Sequence, residues 1–322
     1  MSAAPQSIRV TPDNFTRAET DLYFGNVVKD GGFGTFMHSR GPASIDHQII
    51  IRENRDTLCS LAVFDLDAGP VTITLPEPDG HFMSMQILDE DEYVPEVVYG
   101  GGRHTYSREQ IGTRYMLAAI RTLVNPNDAA DLDTVHAIQD GVKVEQRNPG
   151  RFEVPDWDRD SQKKVREALL ALGATMPDSH HAFGDRPAVD PVRHLIGAAT
   201  AWGGNPEKDA FYGLVVPTRN NGKTVYRLNV KDVPVDGFWS VTVYNAEGYL
   251  EKNDRDAYSV NNITAKKDSD GSVTIQFGGD PADAPNCIPI MPGWNYTVRM
   301  YRPRPEILDR RWKFPDAVPV SA

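Results

Sequence analysis

Turn-forming residues divide most of this sequence into short segments. The 24 prolines and 26 glycines fall mostly between short apolar or alternating runs, which is typical of an all-β chain and not of alternating strands and helices. In "VTITLP", for example, Val71, Ile73 and Leu75 alternate with two threonines, as in a strand with one buried face. The sequence therefore predicts a mainly β fold.

Other strand segments lie in two groups, one before and one after a different middle region. They are "HQIIIRENRD", "TLCSLAVFDL", "DGHFMSMQILDEDEY", "RYMLAAIRTLV", "KTVYRLNV", "FWSVTVYN", "SVTIQFGG" and "NYTVRMYRP". The fourth also fits a helix, but its end at Asn125-Pro126 and its place among strands favour a strand. The last four, joined by turns such as "NNG" and "DSDG", indicate a sandwich or jelly roll.

The middle region has the periodicity of helices. Asp128 is a candidate N-cap in "PNDAADLDTVHAIQDGV". "DRDSQKKVREALLALG" places Val165, Leu169 and Leu172 in one stripe, and "DPVRHLIGAATAWGG" is a third short helix. We therefore predict two antiparallel β-sandwich or jelly-roll-like domains with a helical segment between them: an N-terminal β domain over 1–126, a connecting segment over 127–205 and a C-terminal domain over 206–322.

The composition excludes several classes of partner. The net charge of −11 argues against nucleic acid, because phosphate contacts need a basic face, and it gives an anionic membrane surface no reason to attract the chain. No segment has the apolar length of a membrane span. The start, "MSAAPQSIRVTPDNF", lacks the pattern of a secretory signal, so we expect a cytoplasmic protein, or an exported one whose signal has been removed.

Cysteine and histidine usage gives little support for a metal centre. Cys59 and Cys287 lie far apart in sequence, so we expect two buried free thiols in a reducing compartment and exclude a zinc site made of cysteines alone. None of the eight histidines has the strand spacing of a cupin-like site. We predict no metal site, although one assembled from distant histidines stays open, and the sequence names no cofactor.

The first candidate site lies near the start of the strand series. In "IRENRDT", Arg52, Asn54 and Asp56 would line one face of a strand at two-residue spacing. An arginine that orients a carboxylate and an aspartate that acts as base form a workable acid–base pair. A buried Arg–Asp pair that fixes strand register explains the same residues more simply.

A second group of candidates follows the strand at "DEDEY", residues 89–93. A solvated loop explains its acids, although two nearby carboxylates can also divide acid and base roles, with Tyr93 as a ligand contact. His104, Arg114 and Arg121 would add cationic groups around the same cavity.

The third group lies in "DGFWSVTVYNAEGYLEKNDRDAYSVNN", residues 236–262, which has the pattern of two halves of a hairpin. Neither face of its first strand is cleanly polar, so we expect the strand to be covered on both sides. Tyr244, Asn245, Tyr258, Asn261 and Asn262 would suit an uncharged ligand or an oxyanion. They also suit the hydrogen-bonded corner of a sandwich, which is the simpler interpretation.

A family resemblance rests on long stretches of the chain. "NRDTLCSLAVFDLDAGPVTITLP" with "FMSMQILDED", and "KDVPVDGFWSVTVYNAEGYLEKN" through "GWNYTVRMYRPRPEILDRRWKFP", resemble a paired bacterial family, the domains of unknown function 1254 (N-terminal) and 1214 (C-terminal). The resemblance implies two β domains with helices between them, and it implies no settled activity. Many relatives have Tyr at the position of Cys59 and carry signal peptides, and this chain departs from both patterns.

Two functions are compatible with these features. The first is an enzyme of the hydrolase or lyase type with a small-molecule ligand in a cleft between the β domains. Asp56 would be its base, Arg52 or Arg114 would fix an anionic group, and Asn245 or Tyr244 would polarise a carbonyl. The alternative is a non-catalytic ligand-binding or assembly protein, and we expect a homo-oligomer. A polar pocket holding a carboxylate of raised pKa would favour the enzyme, and a large apolar symmetric interface would favour assembly.

Overall fold

The computed structural model describes residues 7–48, 51–176, 178–280, 282 and 284–320. The helices within them are α1 (Phe15–Lys29), α2 (Arg108–Ile111), α3 (Ala129–Asp140), α4 (Arg159–Gly173), α5 (Pro191–Thr200) and α6 (Pro305–Leu308). The strands are β1 (Met37–His38), β2 (Thr57–Asp65), β3 (Val71–Leu75), β4 (Met83–Asp89), β5 (Glu96–Tyr99), β6 (Gly102–Tyr106), β7 (Tyr115–Leu123), β8 (Lys143–Glu145), β9 (Ala210–Val215), β10 (Tyr226–Val230), β11 (Trp239–Tyr244), β12 (Ser259–Asn261), β13 (Val273–Phe277), β14 (Cys287–Ile288), β15 (Asn295–Tyr301) and β16 (Val318–Pro319).

The predicted mainly β fold is confirmed. The strands form four sheets, in the orders β1-β2-β7-β4-β5, β6-β3-β8, β12-β11-β15-β9 and β14-β13-β10-β16. Strand pairing is antiparallel, with a parallel exception between β13 and β14. Neither cysteine forms a disulfide, as expected. Cys287 is buried as predicted, but Cys59 is only half-buried.

The chain divides into two compact units. Unit 1 takes its described residues from Met1–Arg40, Leu58–Leu123 and Asp133–Glu207, and unit 2 takes the rest: Gly41–Thr57, Val124–Leu132 and Lys208–Ala322. The three-part division over 1–126, 127–205 and 206–322 stays a prediction, because compact units and sequence domains need not share boundaries.

Unit 1 is layered around its five-stranded sheet. One face of that sheet packs on the three-stranded sheet. The apolar core between them includes Phe64, Ile73 and Ile120. The other face packs with α1, through Phe24 and Leu117 among others. The helices α1, α4 and α5 enclose a further apolar cluster. Because strands β4 and β7 lie between two apolar layers, nearly all of their residues are buried.

The sequence predicted α3, α4 and α5 but not α1. The predicted cap of α3 is confirmed, since Asp128 Oδ1 accepts a hydrogen bond from the amide of Ala130 at 3.0 Å. Leu172, which the sequence placed in the apolar stripe of α4, is 52% exposed instead. Helix α1 buries Glu19 and Asp21 beside its apolar residues, so it lacks the single apolar stripe by which a helix is recognised in a sequence.

Unit 2 encloses one apolar core between its two four-stranded sheets. Trp239, Val241 and Val243 of β11 point into this core, as do alternate residues of β15, β10 and β13. The predicted coverage of β11 on both faces is confirmed, because all six of its residues are buried. Strands β11 and β12 pair antiparallel as the predicted hairpin. The jelly-roll topology stays a prediction.

Candidate functional site

The predicted site residues divide between the two units. Unit 1 holds four of them: Tyr93, His104, Arg114 and Arg121. Unit 2 holds the other eight: Arg52, Asn54, Asp56, Tyr244, Asn245, Tyr258, Asn261 and Asn262.

The segment that carries Asp56 is not the strand that the sequence predicted. Of the predicted strand, residues 49 and 50 lie outside the described residues, and residues 51–56 form a turn and an irregular stretch. Arg52 has a positive φ of 55°, and its amide donates to the carbonyl oxygen of Gly248 at 2.9 Å. Arg52, Asn54 and Asp56 therefore do not line a strand face.

One face of the sheet β12-β11-β15-β9 is polar and buried. Alternation along the strands places their polar side chains opposite the apolar core, and the register puts Ser240 between Asn261 and Arg299. The buried polar residues of this face are Ser240, Thr242, Asn261, Asn295, Thr297 and Arg299, with Tyr244 beside them. We call these residues the polar layer of unit 2.

Arg299 is the centre of this layer. Its side chain is only 3% exposed, and it donates to Thr242 Oγ1 at 3.1 Å, to the carbonyl oxygen of Arg52 at 2.7 Å and to Tyr244 Oη at 2.6 Å. The hydroxyl of Tyr244 in turn donates to the carbonyl oxygen of Glu53 at 2.9 Å. Burial raises the pKa of Tyr244, so the phenol stays neutral. Arg299 is not among the residues that the sequence singled out, although its alternation with Val298 and Met300 places it on the face of β15 opposite the core.

Asp56 joins the layer from the irregular segment. It is 1% exposed, and its Oδ1 accepts from Asn261 Nδ2 at 3.0 Å. Among the described residues, its Oδ2 has no hydrogen-bond partner, and neither has Ser240 Oγ. Asn54 braces the segment by accepting from the amide of Asp56 at 2.7 Å and donating to Tyr301 Oη at 3.0 Å. Such burial suits a group that fixes the chain, and the role of Asp56 as base stays a prediction.

The remaining unit 2 candidates occupy a corner. Asn245 Oδ1 accepts from the amides of Glu247 and Tyr249, at 3.2 and 2.9 Å, which closes a turn. The ring of Tyr258 faces the guanidinium of Arg55, with 5.1 Å between the guanidinium carbon and the ring centre. Arg52 is half-buried, and burial lowers its pKa.

In unit 1, Arg114 is engaged in an ion pair. Its Nε and Nη2 donate to Oδ1 and Oδ2 of Asp65, at 3.1 and 2.9 Å. Burial acts to raise the pKa of Asp65, but Arg114 and nearby amides outweigh it and lower that pKa. His104 lies on β6 opposite Ile73 of β3, and within the described part of the chain its Nε2 has no hydrogen-bond partner.

A serine and a histidine also meet in unit 1. His38 Nδ1 lies 2.7 Å from Ser60 Oγ. Gln139 Nε2 donates to the same oxygen at 3.3 Å, and Ser60 is 1% exposed. The hydroxyl therefore links β1, β2 and α3 and is closed to a substrate.

Unit 1 contains a pocket of about 160 Å³ at the end of β4. Helix α2 reaches one side of it, and the loop that carries Arg186 reaches another. The lining residues are Asp89, Tyr93, Pro95, Ile111, Gly112, Thr113, Asp185 and Arg186. Of the predicted site residues, Tyr93 alone lines it.

Asp89 is the buried titratable group of this pocket. Only 5% of the residue is exposed. Its Oδ1 accepts from the amides of Asp91 and Tyr93, at 2.8 and 2.9 Å, which folds the chain sharply at the end of β4. The other oxygen, Oδ2, takes part in neither of these bonds. Burial, assisted by the charge of Asp91, raises the pKa of Asp89 to about 7. A carboxyl of this kind exchanges its proton near neutrality.

Tyr93 is held in a three-membered stack. The guanidinium carbon of Arg186 lies 4.4 Å from the centre of its ring, and the ring of His194 is stacked on it with centroids 4.5 Å apart. His194 is fixed in turn by the carbonyl oxygens of Ala182 and Asp91, at 3.0 and 2.9 Å from its two ring nitrogens. The stack gives the pocket a fixed wall.

The interpretation of "DEDEY" as a solvated loop is wrong. Asp89, Glu90 and Glu92 are buried. Glu90 Oε2 accepts from the amide of Tyr115, and Glu92 Oε1 accepts from that of Gly203, both at 2.9 Å. These carboxyl groups accept hydrogen bonds from backbone amides that would otherwise be unpaired. The number of acidic residues in a sequence does not show such a role.

Comparison with known proteins gives a family and a fold. Residues 33–111 match the family described as "Protein of unknown function (DUF1254)", and residues 217–305 match "Protein of unknown function (DUF1214)". None of the curated proteins matches the chain. Among the described residues, none of the helices is both long and apolar enough to cross a membrane.

Two solved structures resemble the chain over most of its length. The VPA0106 protein from Vibrio parahaemolyticus is 17% identical, with a TM-score of 0.73 over 96% of this chain and 98% of that chain. A putative uncharacterized protein from Burkholderia cenocepacia is 11% identical, with a TM-score of 0.52 over 96% of this chain and 88% of that chain. At these identities the likeness concerns the fold alone. The two family matches, and not these structures, give the family: the chain belongs to the paired family of domains of unknown function, with DUF1254 at residues 33–111 and DUF1214 at residues 217–305.

Proposed function

We propose that the chain is an enzyme of the hydrolase or lyase type that acts on a small molecule, with Asp89 as its acid–base group. One observation carries the proposal: a carboxyl that is almost fully buried, with a pKa of about 7, faces a pocket of defined wall and size. Perturbed carboxyls in pockets are a mark of functional sites. The reaction class is the one expected from the sequence. Asp89 is proposed here as the acid–base group, and the role of Asp56 as base stays a separate, untested prediction.

The size of the pocket limits the substrate. A cavity of roughly 150 Å³ holds a benzene molecule. The pocket of about 160 Å³ therefore suits a molecule or a substituent of similar size. Larger substrates would have to leave part of their structure outside.

The lining chemistry favours proton transfer over covalent catalysis. Thr113 Oγ1 is already committed, since it accepts from the amide of Glu90 at 3.1 Å and donates to the carbonyl oxygen of Tyr115 at 2.8 Å. A carboxyl whose pKa is near the working pH serves equally as acid and as base. Asp89 would remove a proton in an elimination, or activate a water in a hydrolysis.

The test is a thermal-shift screen of the protein against a metabolite panel, repeated with Asp89→Asn. The amide keeps an oxygen for the two backbone donors, so the fold of the turn is preserved. A ligand at a hundred times its dissociation constant stabilises by about 2.7 kcal/mol, which is easily seen. Asp46→Asn is the matched control, since Asp46 is an exposed carboxylate of unit 2 whose partner is Lys252.

We expect ligands whose binding is weakened by Asp89→Asn and unaffected by Asp46→Asn. We also expect the protein to turn over one of these ligands, and only Asp89→Asn should abolish this activity. Carbon-13 NMR of the carboxyl groups should find Asp89 titrating near pH 7. A flat screen together with an ordinary pKa for Asp89 would refute the proposal and favour the assembly function, for which the oligomeric state is the next measurement.

A further inference from the structure

We propose that the pocket of unit 1 binds a small primary amine as its ammonium ion, held by Asp89 Oδ2, with the short apolar part of the ligand against Pro95 and Ile111. This inference rests on the proposed function, because it names the class of ligand for the same pocket.

The charges of the lining select the sign of the ligand. Asp89 and Asp185 contribute two carboxylates, and Arg186 contributes one guanidinium. The charge of Arg186 is shared with another carboxylate, since its Nη2 lies 3.3 Å from Asp91 Oδ2 and its guanidinium covers the ring of Tyr93. An anionic ligand would meet an excess of negative charge, and a cation would be stabilised by it.

The geometry of Asp89 selects a hydrogen-bond donor. Both amide bonds to this side chain go to Oδ1, so Oδ2 is the oxygen that a ligand would meet. Ionised Asp89 is costly in its buried position, and the charge of Arg186 offsets this cost only in part, because burial still raises the pKa of the carboxyl. A bound ammonium group supplies both the charge and the donors, so the pair is more favourable than either ion alone.

The rest of the lining is apolar or neutral and fits a short hydrocarbon chain. Pro95 and Ile111 offer apolar surface, and Gly112 at the end of α2 has a φ of 90°, where a side chain would be strained. An amine with three to five carbons matches a pocket of about benzene size, by the same comparison as above.

Binding of an ammonium ion is coupled to the proton on Asp89. The titratable and charged groups that face or act on this carboxyl are Asp91, Glu92, Tyr93, Asp185 and Arg186. The protonated acid must release its proton when the cation binds. The affinity should therefore rise as the pH rises through about 7 and level off above it.

The experiment is isothermal titration calorimetry of the full chain with butan-1-amine, and with butan-1-ol and butanoate as isosteres of different charge. We expect heat of binding from the amine alone. Titrations at pH 7 in two buffers of different ionisation enthalpy should detect the released proton. Asp89→Asn should lower the affinity for the amine by at least about tenfold, since it removes one partner of a buried charge pair.

Two further variants test whether the loss of affinity is specific to Asp89. Asp185→Asn, which changes a second carboxylate of the lining, should weaken the amine less than Asp89→Asn does. Asp236→Asn should leave the affinity unchanged, because Asp236 is an exposed partner of Arg304 in unit 2. Equal weakening by all three variants would attribute the binding to net charge and overturn the proposal.

The failure of this inference differs from the failure of the proposed function. Preferred binding of the alcohol or the acid, with sensitivity to Asp89→Asn, would overturn the amine and keep Asp89 as the acid–base group. If none of the three probes binds while Asp89 titrates near pH 7, the amine is again refuted. If the pKa of Asp89 lies in the usual range of an aspartate, both the proposed function and the amine ligand are refuted.

Discussion

The guanidinium of Arg299 and the hydroxyl of Tyr244 lie 2.6 Å apart on neighbouring strands of unit 2, and both side chains are buried. Each is also tied to the irregular segment before β2, Arg299 through the carbonyl oxygen of Arg52 and Tyr244 through that of Glu53. The pair therefore fixes a loop to a sheet with charge-assisted hydrogen bonds.

Tyr244→Phe tests this pair. The change keeps the ring but leaves Arg299 without one acceptor and Glu53 without one donor, so we expect a loss of about 1–3 kcal/mol in the free energy of unfolding. Urea denaturation at neutral pH measures it. Tyr249→Phe, at a tyrosine that is 39% exposed, is the matched control and should change little. Equal effects of both variants would contradict the role of the pair.

Arg114→Gln should destabilise unit 1 in a pH-dependent way. The folded-state pKa of Asp65 is lowered, so its ion pair contributes stability above the unfolded-state pKa of about 4, and that stability is lost as the pH falls through the folded-state value. The variant should therefore lose stability at pH 7, and the loss should shrink below pH 4. Denaturant midpoints of both proteins across this range check it. A loss that is independent of pH would point to packing instead.

The buried acids of unit 1 should make the protein less stable as the pH rises. Burial raises the pKa of Asp89 to about 7 and that of Asp21 to about 6. Raised folded-state values mean that the native state binds more protons than the unfolded one, so the stabilisation is complete below about pH 4 and is lost through pH 6–7. Urea denaturation between pH 5 and 8 measures the slope, and Asp89→Asn should flatten it. An unchanged slope in that variant would contradict the raised pKa.

Alanine substitutions at two glycines distinguish steric crowding from backbone strain as causes of destabilisation. Gly248 and Gly271 have nearly equal positive φ, 86° and 85°, but a Cβ at Gly248 would lie 2.7 Å from Ile51 Cγ1, and at Gly271 it would meet nothing within 4 Å. Gly248→Ala should therefore cost at least about 1 kcal/mol more than Gly271→Ala, because only the first forces its neighbours to move. Melting temperatures compare the two, and equal costs would show that φ alone decides.

Much of the fold could be predicted because strand periodicity is a local property. The apolar alternation of β3, β11 and β13 is written in consecutive residues, and so is the acidic cap of α3. Helix α1 could not be recognised in this way. Its buried Glu19 is satisfied by Arg166 of α4, a partner 147 residues further along the chain.

The candidate sites were predicted only in part, for the same reason. Asp56 and Asn261 were both singled out from the sequence, and they do meet, but through an irregular segment and not across strands. The pKa of Asp89 depends on burial by loops that are distant in sequence, including the one that carries Arg186. No local pattern distinguishes such a carboxyl from a solvated one.

Unit 2 is assembled from segments that lie far apart in the sequence, and this affects how it can fold during synthesis on the ribosome. Asp56 is made 205 residues before its partner Asn261, and at 5–20 residues per second this corresponds to roughly 10–40 s of translation. During that interval the early segment has no polar layer to bind. A fragment limited to the DUF1214 match, residues 217–305, would contain Arg299 with its acceptors Thr242 and Tyr244 but not the segment around Arg52 and Asp56. In that fragment Arg299 would lack the carbonyl acceptor of Arg52, and Asn261 would lack the carboxylate of Asp56.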